Sequence, residues 1–205
     1  MTLAASDLTL PDPRSGGTGL RLVVRPSTPR LAVHRRGGDG GVEACPVAGP
    51  GAPVTAGDCI PVAPGSTVEL ASTGGVEVRA TGPGATAAEV GVSYVPADRR
   101  TTLVTPGYPA GACAARACGA TFSLTPARPG EFVLEGTAGG GRPRLVLESV
   151  PTGAPGGSNR TLATVEGGGS LSIRATLEAG REAVLLHQER ASGPVAPVTA
   201  EISWP

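Results

Sequence analysis

The sequence predicts an all-β protein built as two tandem seven-stranded antiparallel β-sandwiches, and three observations carry that expectation. Short alternating runs of Val, Leu and Ile recur between turn residues, no segment of useful length keeps a 3.6-residue apolar period, and the chain is written twice. Regular short strands separated by turn signals are the mark of a sandwich, here of the jelly-roll or immunoglobulin-like kind. The 32 glycines and 21 prolines provide the punctuation, and only five residues are aromatic. A chain of 205 residues has room for two cores of ordinary size.

The duplication is read from matched segments in the same order. "DLTLPDPR" (7–14) pairs with "TFSLTPAR" (121–128), "TPRLAVHR" (28–35) with "RPRLVLES" (142–149), and "GVEVRAT" (75–81) with "LSIRATL" (171–177). Further on, "AEVGVSY" (88–94) pairs with "REAVLLH" (181–187) and "TTLVTP" (101–106) with "AEISWP" (200–205). The offset is 114 positions at the start and falls to about 95 later, so the first copy carries roughly 19 residues that the second lacks. These matches divide the chain into a first sandwich over 1–106, a Gly/Pro/Ala linker over 107–120 and a second sandwich over 121–205.

In the second copy the expected strands are 121–125, 131–135, 143–149, 160–165, 170–176, 182–189 and 197–204. Alternation places Leu31, Val33 and Val78 on inward faces, matched by Leu145, Leu147 and Ile173. In the first copy Asp39-Gly40 within "RRGGDGGVEA" predicts a hairpin, because a tight turn there needs positive φ.

The extra residues of the first copy coincide with "CPVAGPGAPVTAGDC", from Cys45 to Cys59. Its prolines, glycines and alanines carry no chemistry, and a cross-link is expected to hold a loop that no strand pairing holds. Four cysteines permit three pairings, and the expectation is the local one, Cys45 with Cys59 and Cys113 with Cys118. The second bridge would stiffen the linker. Neither spacing is C-x-x-C, and His34 and His187 lie far from the cysteines in sequence, which argues against zinc and thiol-redox roles.

The progression "TFSLTPARPGEFVLEG", "RPRLVLES", "LSIRATLEAGREAVLLHQ", "TAEISW" resembles the bacterial pre-peptidase C-terminal type of domain, as a tandem duplication. It differs in having "AGREAV" at 179–184 where that family has Gly-Thr-Tyr after the Ala-Gly turn. The resemblance implies a small secreted β-sandwich accessory module, usually without catalysis of its own.

All 17 basic residues are arginines, balanced by 17 acidic ones, with no block of either sign. Nucleic-acid binding would call for a basic stripe, and Arg35-Arg36 and Arg99-Arg100 read instead as solvated turns. No 18-residue apolar run is present to span a membrane. The start lacks the charged and apolar regions of a leader, which leaves a cytosolic protein or one whose leader has been removed; the cysteines favour the second, and the expected location is the cell envelope or outside the cell.

For chemistry, each histidine reads as an ordinary strand residue, His34 on the face opposite Leu31 and Val33. No serine lies in G-x-S-x-G, no glycine run ends in Lys-Ser/Thr, and no calcium loop is present. Among the carboxylates Asp39, Asp58, Glu77, Glu89, Glu135, Glu148, Glu178 and Glu182, no local pattern singles out a pair. "NRT" at 159–161 fits the glycosylation pattern.

The expected function is therefore a non-catalytic structural or interaction module with other envelope or secreted proteins as partners and no cofactor. The alternative is a polysaccharide- or polymer-binding accessory module, for which Tyr94, Tyr108 and Trp204 are the only aromatic candidates.

Overall fold

Among the described residues the chain forms sixteen strands: β1 (Ala4–Leu10), β2 (Leu20–Val23), β3 (Arg30–Gly37), β4 (Gly41–Pro46), β5 (Ile60–Pro61), β6 (Thr67–Ala71), β7 (Gly75–Thr81), β8 (Ala88–Tyr94), β9 (Arg100–Val104), β10 (Cys118–Leu124), β11 (Gly130–Ala138), β12 (Arg144–Val150), β13 (Arg160–Glu166), β14 (Gly169–Leu177), β15 (Glu182–Glu189) and β16 (Val198–Ser203). This computed structural model describes residues 4–10, 20–27, 30–38, 40–48, 58–81, 88–105, 118–141, 143–151, 158–189 and 197–205, with backbone alone at 4–10, 118–120 and 187–189. All seven strands expected in the second copy are present, with ends shifted by at most three residues. Period-2 alternation of apolar and polar side chains builds them, as in β14, where Leu171 and Ile173 are buried between exposed Ser170, Ser172 and Arg174.

The strands form two antiparallel sheets of eight. Sheet A runs β13-β12-β15-β10-β1-β8-β3-β6 and sheet B runs β14-β11-β16-β9-β2-β7-β4-β5. The duplication is visible in this order: β10, β15, β12 and β13 occupy in one half of sheet A the places that β1, β8, β3 and β6 occupy in the other. In sheet B, β16, β11 and β14 mirror β9, β2 and β7. Leu31, Leu145, Val33, Leu147, Val78 and Ile173 are all buried, as the alternation predicts.

The copies are not two sandwiches on a tether. Strand β1 pairs with β10 in sheet A and β9 with β16 in sheet B, so both sheets run without a break from one copy into the other. Asp7 faces Thr121, and Thr102 faces Glu201. Each pair consists of equivalent positions of the repeat, so the molecule has an internal pseudo-twofold axis passing through both seams. The physical reason is edge satisfaction. Each copy alone would leave a row of unpaired N–H and C=O groups on β1 or β10 and on β9 or β16, and pairing the copies removes four such edges. One apolar cluster spans both halves, with Leu20, Leu22, Val90 and Leu103 from the first and Phe122, Leu134, Leu185 and Ile202 from the second. Cys118–Ala120, expected in the linker, open β10.

Two local expectations are corrected. The Asp39-Gly40 region does not close a hairpin, because β3 belongs to sheet A and β4 to sheet B. Positive φ is used there all the same, at Gly38 (85°) and Gly40 (88°), to carry the chain across the sandwich; Asp39 itself lies outside the described residues. The Cys45–Cys59 insertion, expected to lack strand pairing, is paired at its start, where Cys45 and Pro46 face Glu77 and Val76; residues 49–57 lie outside the described residues, and two strands without a counterpart among the described residues of the second copy flank it. Strand β4 pairs with β7 over Gly41 to Pro46, and Glu43 and Ala44 of β4 face Pro61 and Ile60 of β5.

Candidate functional site

The cysteine expectation is met at one place. Cys45 at the end of β4 is bonded to Cys59, the residue before β5, with sequence separation 14. Cys45 is fully buried. Arg79 of β7 reaches over the bridge, with Nη2 3.4 Å from Glu43 Oε2 and 3.5 Å from Cys59 Sγ. Glu43, Cys45 and Cys59 form the one cluster of potential metal donors among the described residues. The two sulfurs are bonded to each other and so present no thiolate to a metal. Cys113 and the side chain of Cys118 lie outside the described residues.

His34 points away from the core, as alternation requires, and is held from both sides. Its Nδ1 lies 2.8 Å from Thr67 Oγ1 on β6 and its Nε2 3.0 Å from Ser93 Oγ on β8. A serine hydroxyl on an imidazole nitrogen is the arrangement of a nucleophile–base pair. The other nitrogen meets a threonine hydroxyl, where acyl-transfer chemistry would want a carboxylate to orient the ring and stabilise its cation. Strand β8 lies between β1 and β3, so the two ladders take up the backbone N–H groups of the strand that carries Ser93. The trio acts as a polar cross-strand tie. The backbone of His187 lies on β15 opposite Ala120 and Leu145.

The carboxylates disperse over both outer faces. Glu178 pairs with Arg160 at 2.9 Å and Arg181 at 3.6 Å, and Glu148 accepts from Asn159 of the "NRT" tripeptide at 3.2 Å. Glu77 faces Arg21 and Cys45, while Glu89 faces Thr9 and Gly37. Glu135 alone meets a second carboxylate in register, that of Glu201 on β16. Their like charge is relieved from outside the pair: Arg174 Nη2 lies 3.0 Å from Glu135, and Thr102 donates to Glu201 at 2.6 Å. Together with Arg100 and Ser203, the side chains of Glu135, Arg174 and Glu201 line an open recess of about 390 Å³ on sheet B, beside the seam between the copies.

Two of the aromatic candidates for polymer binding, Tyr94 and Trp204, are structural. Trp204 is buried after β16 and tilts at 51° against Phe122, ring centroids 5.9 Å apart. Tyr94 is buried at the end of β8; burial drives its phenol well above the ordinary range, the Thr101 hydroxyl opposing the shift and the Asp98 carboxylate adding to it. The Tyr94 hydroxyl has no hydrogen-bond partner at bonding geometry among the described residues, and Thr101 Oγ1 donates to the Val23 carbonyl at 3.1 Å. Tyr108 lies outside the described residues.

Sequence reading missed Arg35. Placed with Arg36 in a solvated turn, it is instead 4% exposed and faces between the sheets. Its guanidinium donates to the carbonyls of Val62 at 3.2 Å and of Gly38 and Gly40 at 2.8 Å each. The signal was available, because Leu31, Val33 and Arg35 share one face of a single strand.

No family model matches this chain, and no curated protein matches it. Among solved structures, oxalate decarboxylase of Bacillus subtilis at pH 4.6 overlaps 98% of this chain and 68% of its own, at 9% identity and TM-score 0.28. A structure describing the substrate binding mode of oxalate decarboxylase gives the same coverage at 8% identity and TM-score 0.30. Overlap at that level does not amount to a shared fold.

Proposed function

We propose that this chain is a non-catalytic structural or interaction module of the bacterial cell envelope or of a secreted assembly. The observation that supports it most is the seam. Two copies share two continuous eight-stranded sheets and one core, which yields a stiff body offering broad outer faces rather than a pair of domains closing on a cleft. The recess beside the seam carries both signs of charge, from Arg100, Arg174, Glu135 and Glu201, a pattern that favours register with a complementary protein surface. The Cys45–Cys59 bond fits an oxidising compartment. The polymer-binding alternative loses support, because two of its three aromatic candidates are packed in the core and present no face to a sugar ring.

The test is capture from envelope extracts on immobilised chain, run beside an ester and glycan turnover panel. The expected result is a defined envelope protein retained at moderate salt and no turnover. Turnover of any substrate by the purified chain, with nothing retained, overturns the reading.

A further inference from the structure

Both ends of sheet B are edges, and the duplication makes them comparable. In the first copy, the edge of β7 is covered by β4, which has no counterpart among the described residues of the second copy, and β4 is followed by a blunt terminus, the two-residue β5 ending in Pro61. Short, proline-bearing edges resist further pairing. In the second copy β14 holds the place of β7; among the described residues no strand is hydrogen-bonded to it on the side away from β11, and the nearest neighbour there is β13 of sheet A, whose Arg160 and Leu162 share a recess with Thr176 and Leu177. It is nine residues long, contains no proline, and keeps unbroken register with β11 from Gly130↔Leu177 to Ala138↔Gly169. The other edges are less open to pairing. Strand β6 has five residues, and β13 sits against a register shift at Leu147/Glu148 that twists it.

The covered edge also shows what the open one would accept. On β7, Gly41 faces Thr81, Val42 faces Ala80, Glu43 faces Arg79 and Ala44 faces Val78. Each match has a physical reason. A Cβ at Gly41 would collide with the Thr81 hydroxyl and carbonyl, Val42 and Ala44 are buried against the core, and Glu43 pairs with Arg79. The same three residues recur in order on β14 as Arg174, Ala175 and Thr176, preceded by Ile173 in place of Val78. Ile173 is buried, Ala175 half-buried and Arg174 outward, as on β7.

We propose that the free edge of β14 is a docking site for an extended segment of a partner protein, added antiparallel as a further strand of sheet B. The segment carries glycine opposite Thr176, an apolar residue opposite Ala175, a carboxylate opposite Arg174 and a small apolar residue opposite Ile173. Main-chain hydrogen bonds hold it and alternate side chains select it. Arg174 now pairs with Glu131 at 3.7 Å and Glu135 at 3.0 Å, exposed contacts of the kind that exchange at little cost. This inference rests on the interaction reading above and gives it an address.

The probe is a fluorescent peptide with the sequence of residues 40–48 carrying Cys45→Ser, titrated into the intact oxidised chain and followed by anisotropy. Saturable binding is expected, weakened about tenfold or more by Arg174→Glu and regained when the peptide carries Glu43→Arg, as expected for a single charge pair. Arg79→Glu in the protein should leave binding unchanged, which separates docking on β14 from displacement of the resident β4. N-methylation of the alternate amides that face β14 should abolish binding. No saturation at millimolar peptide, or equal affinity for Arg174→Glu, overturns the proposal. So does a concentration-dependent dimer in ultracentrifugation that Arg174→Glu dissolves, which assigns the edge to a second copy. An envelope protein retained equally by Arg174→Glu sinks the edge site while leaving the interaction reading intact; substrate turnover sinks that reading itself.

Discussion

Arg35 is a buried cation whose Nη groups donate to carbonyl dipoles instead of a carboxylate, while its Nε has no partner among the described residues. Its three acceptors come from the β3–β4 crossing and from Val62 beyond β5, so one side chain fastens the insertion to the body of the first copy. Arg35→Met keeps much of the volume but strands those carbonyls, and a loss of about 2–3 kcal/mol in urea unfolding is expected. Tyr94 is the opposite case, a buried hydroxyl without a partner. Tyr94→Phe should leave stability at neutral pH unchanged or raise it by up to about 1 kcal/mol. The folded-state pKa of Tyr94 is raised, so the native state holds its proton where the unfolded chain releases it. Stability should be flat below the ordinary tyrosine pKa of 10.0 and fall as pH rises through and above it. Denaturant midpoints across that range should fall less steeply for Tyr94→Phe; an identical slope would remove Tyr94 as the cause.

At the scale of single elements, glycine decides how strands cross between sheets. Gly75 opens β7 with φ at 130°, and a Cβ there would run into the carbonyl of Leu22 on the adjacent β2. Gly75→Ala is therefore expected to cost about 1–3 kcal/mol, read from the same unfolding curves. The Cys45–Cys59 bond ties the end of β4 to the start of β5, and its reduction should cost about 3 kcal/mol in the chain-entropy treatment. Hydrogen exchange should localise the loosening to β4 and β5, leaving β10 to β16 protected; uniform deprotection would show that the bridge supports the whole core. The strands themselves were legible because alternation is local: β12, β13 and β15 fall almost where the periodicity puts them. The β4 pairing was not, because "GVEACP" reads as the approach to a loop until β7 is beside it.

For the whole molecule, the shared core and double seam make the copies one cooperative unit. Calorimetry of the intact chain should show one unfolding transition. Leu22→Ala in the first copy and Leu134→Ala in the second, both fully buried, should each move that same transition, at a cost of about 2–5 kcal/mol. Two transitions, each answering to only one substitution, would restore two independent sandwiches.

The sequence by itself determined the strand content, the duplication, the inward set from Leu31 to Ile173, the outward aspect of His34 and the Cys45–Cys59 pair. Each follows from period-2 patterning, from self-similarity or from proximity along the chain. Only the tertiary structure decided that β1 joins β10 and β9 joins β16, that the Arg35 guanidinium meets the carbonyls of Gly38, Gly40 and Val62, and that Tyr94 belongs to the core. Those outcomes depend on which edge meets which, a choice between partners distant in sequence. Hydrophobic alternation fixes the face a residue takes on its strand, but it is the same for every partner that strand could adopt.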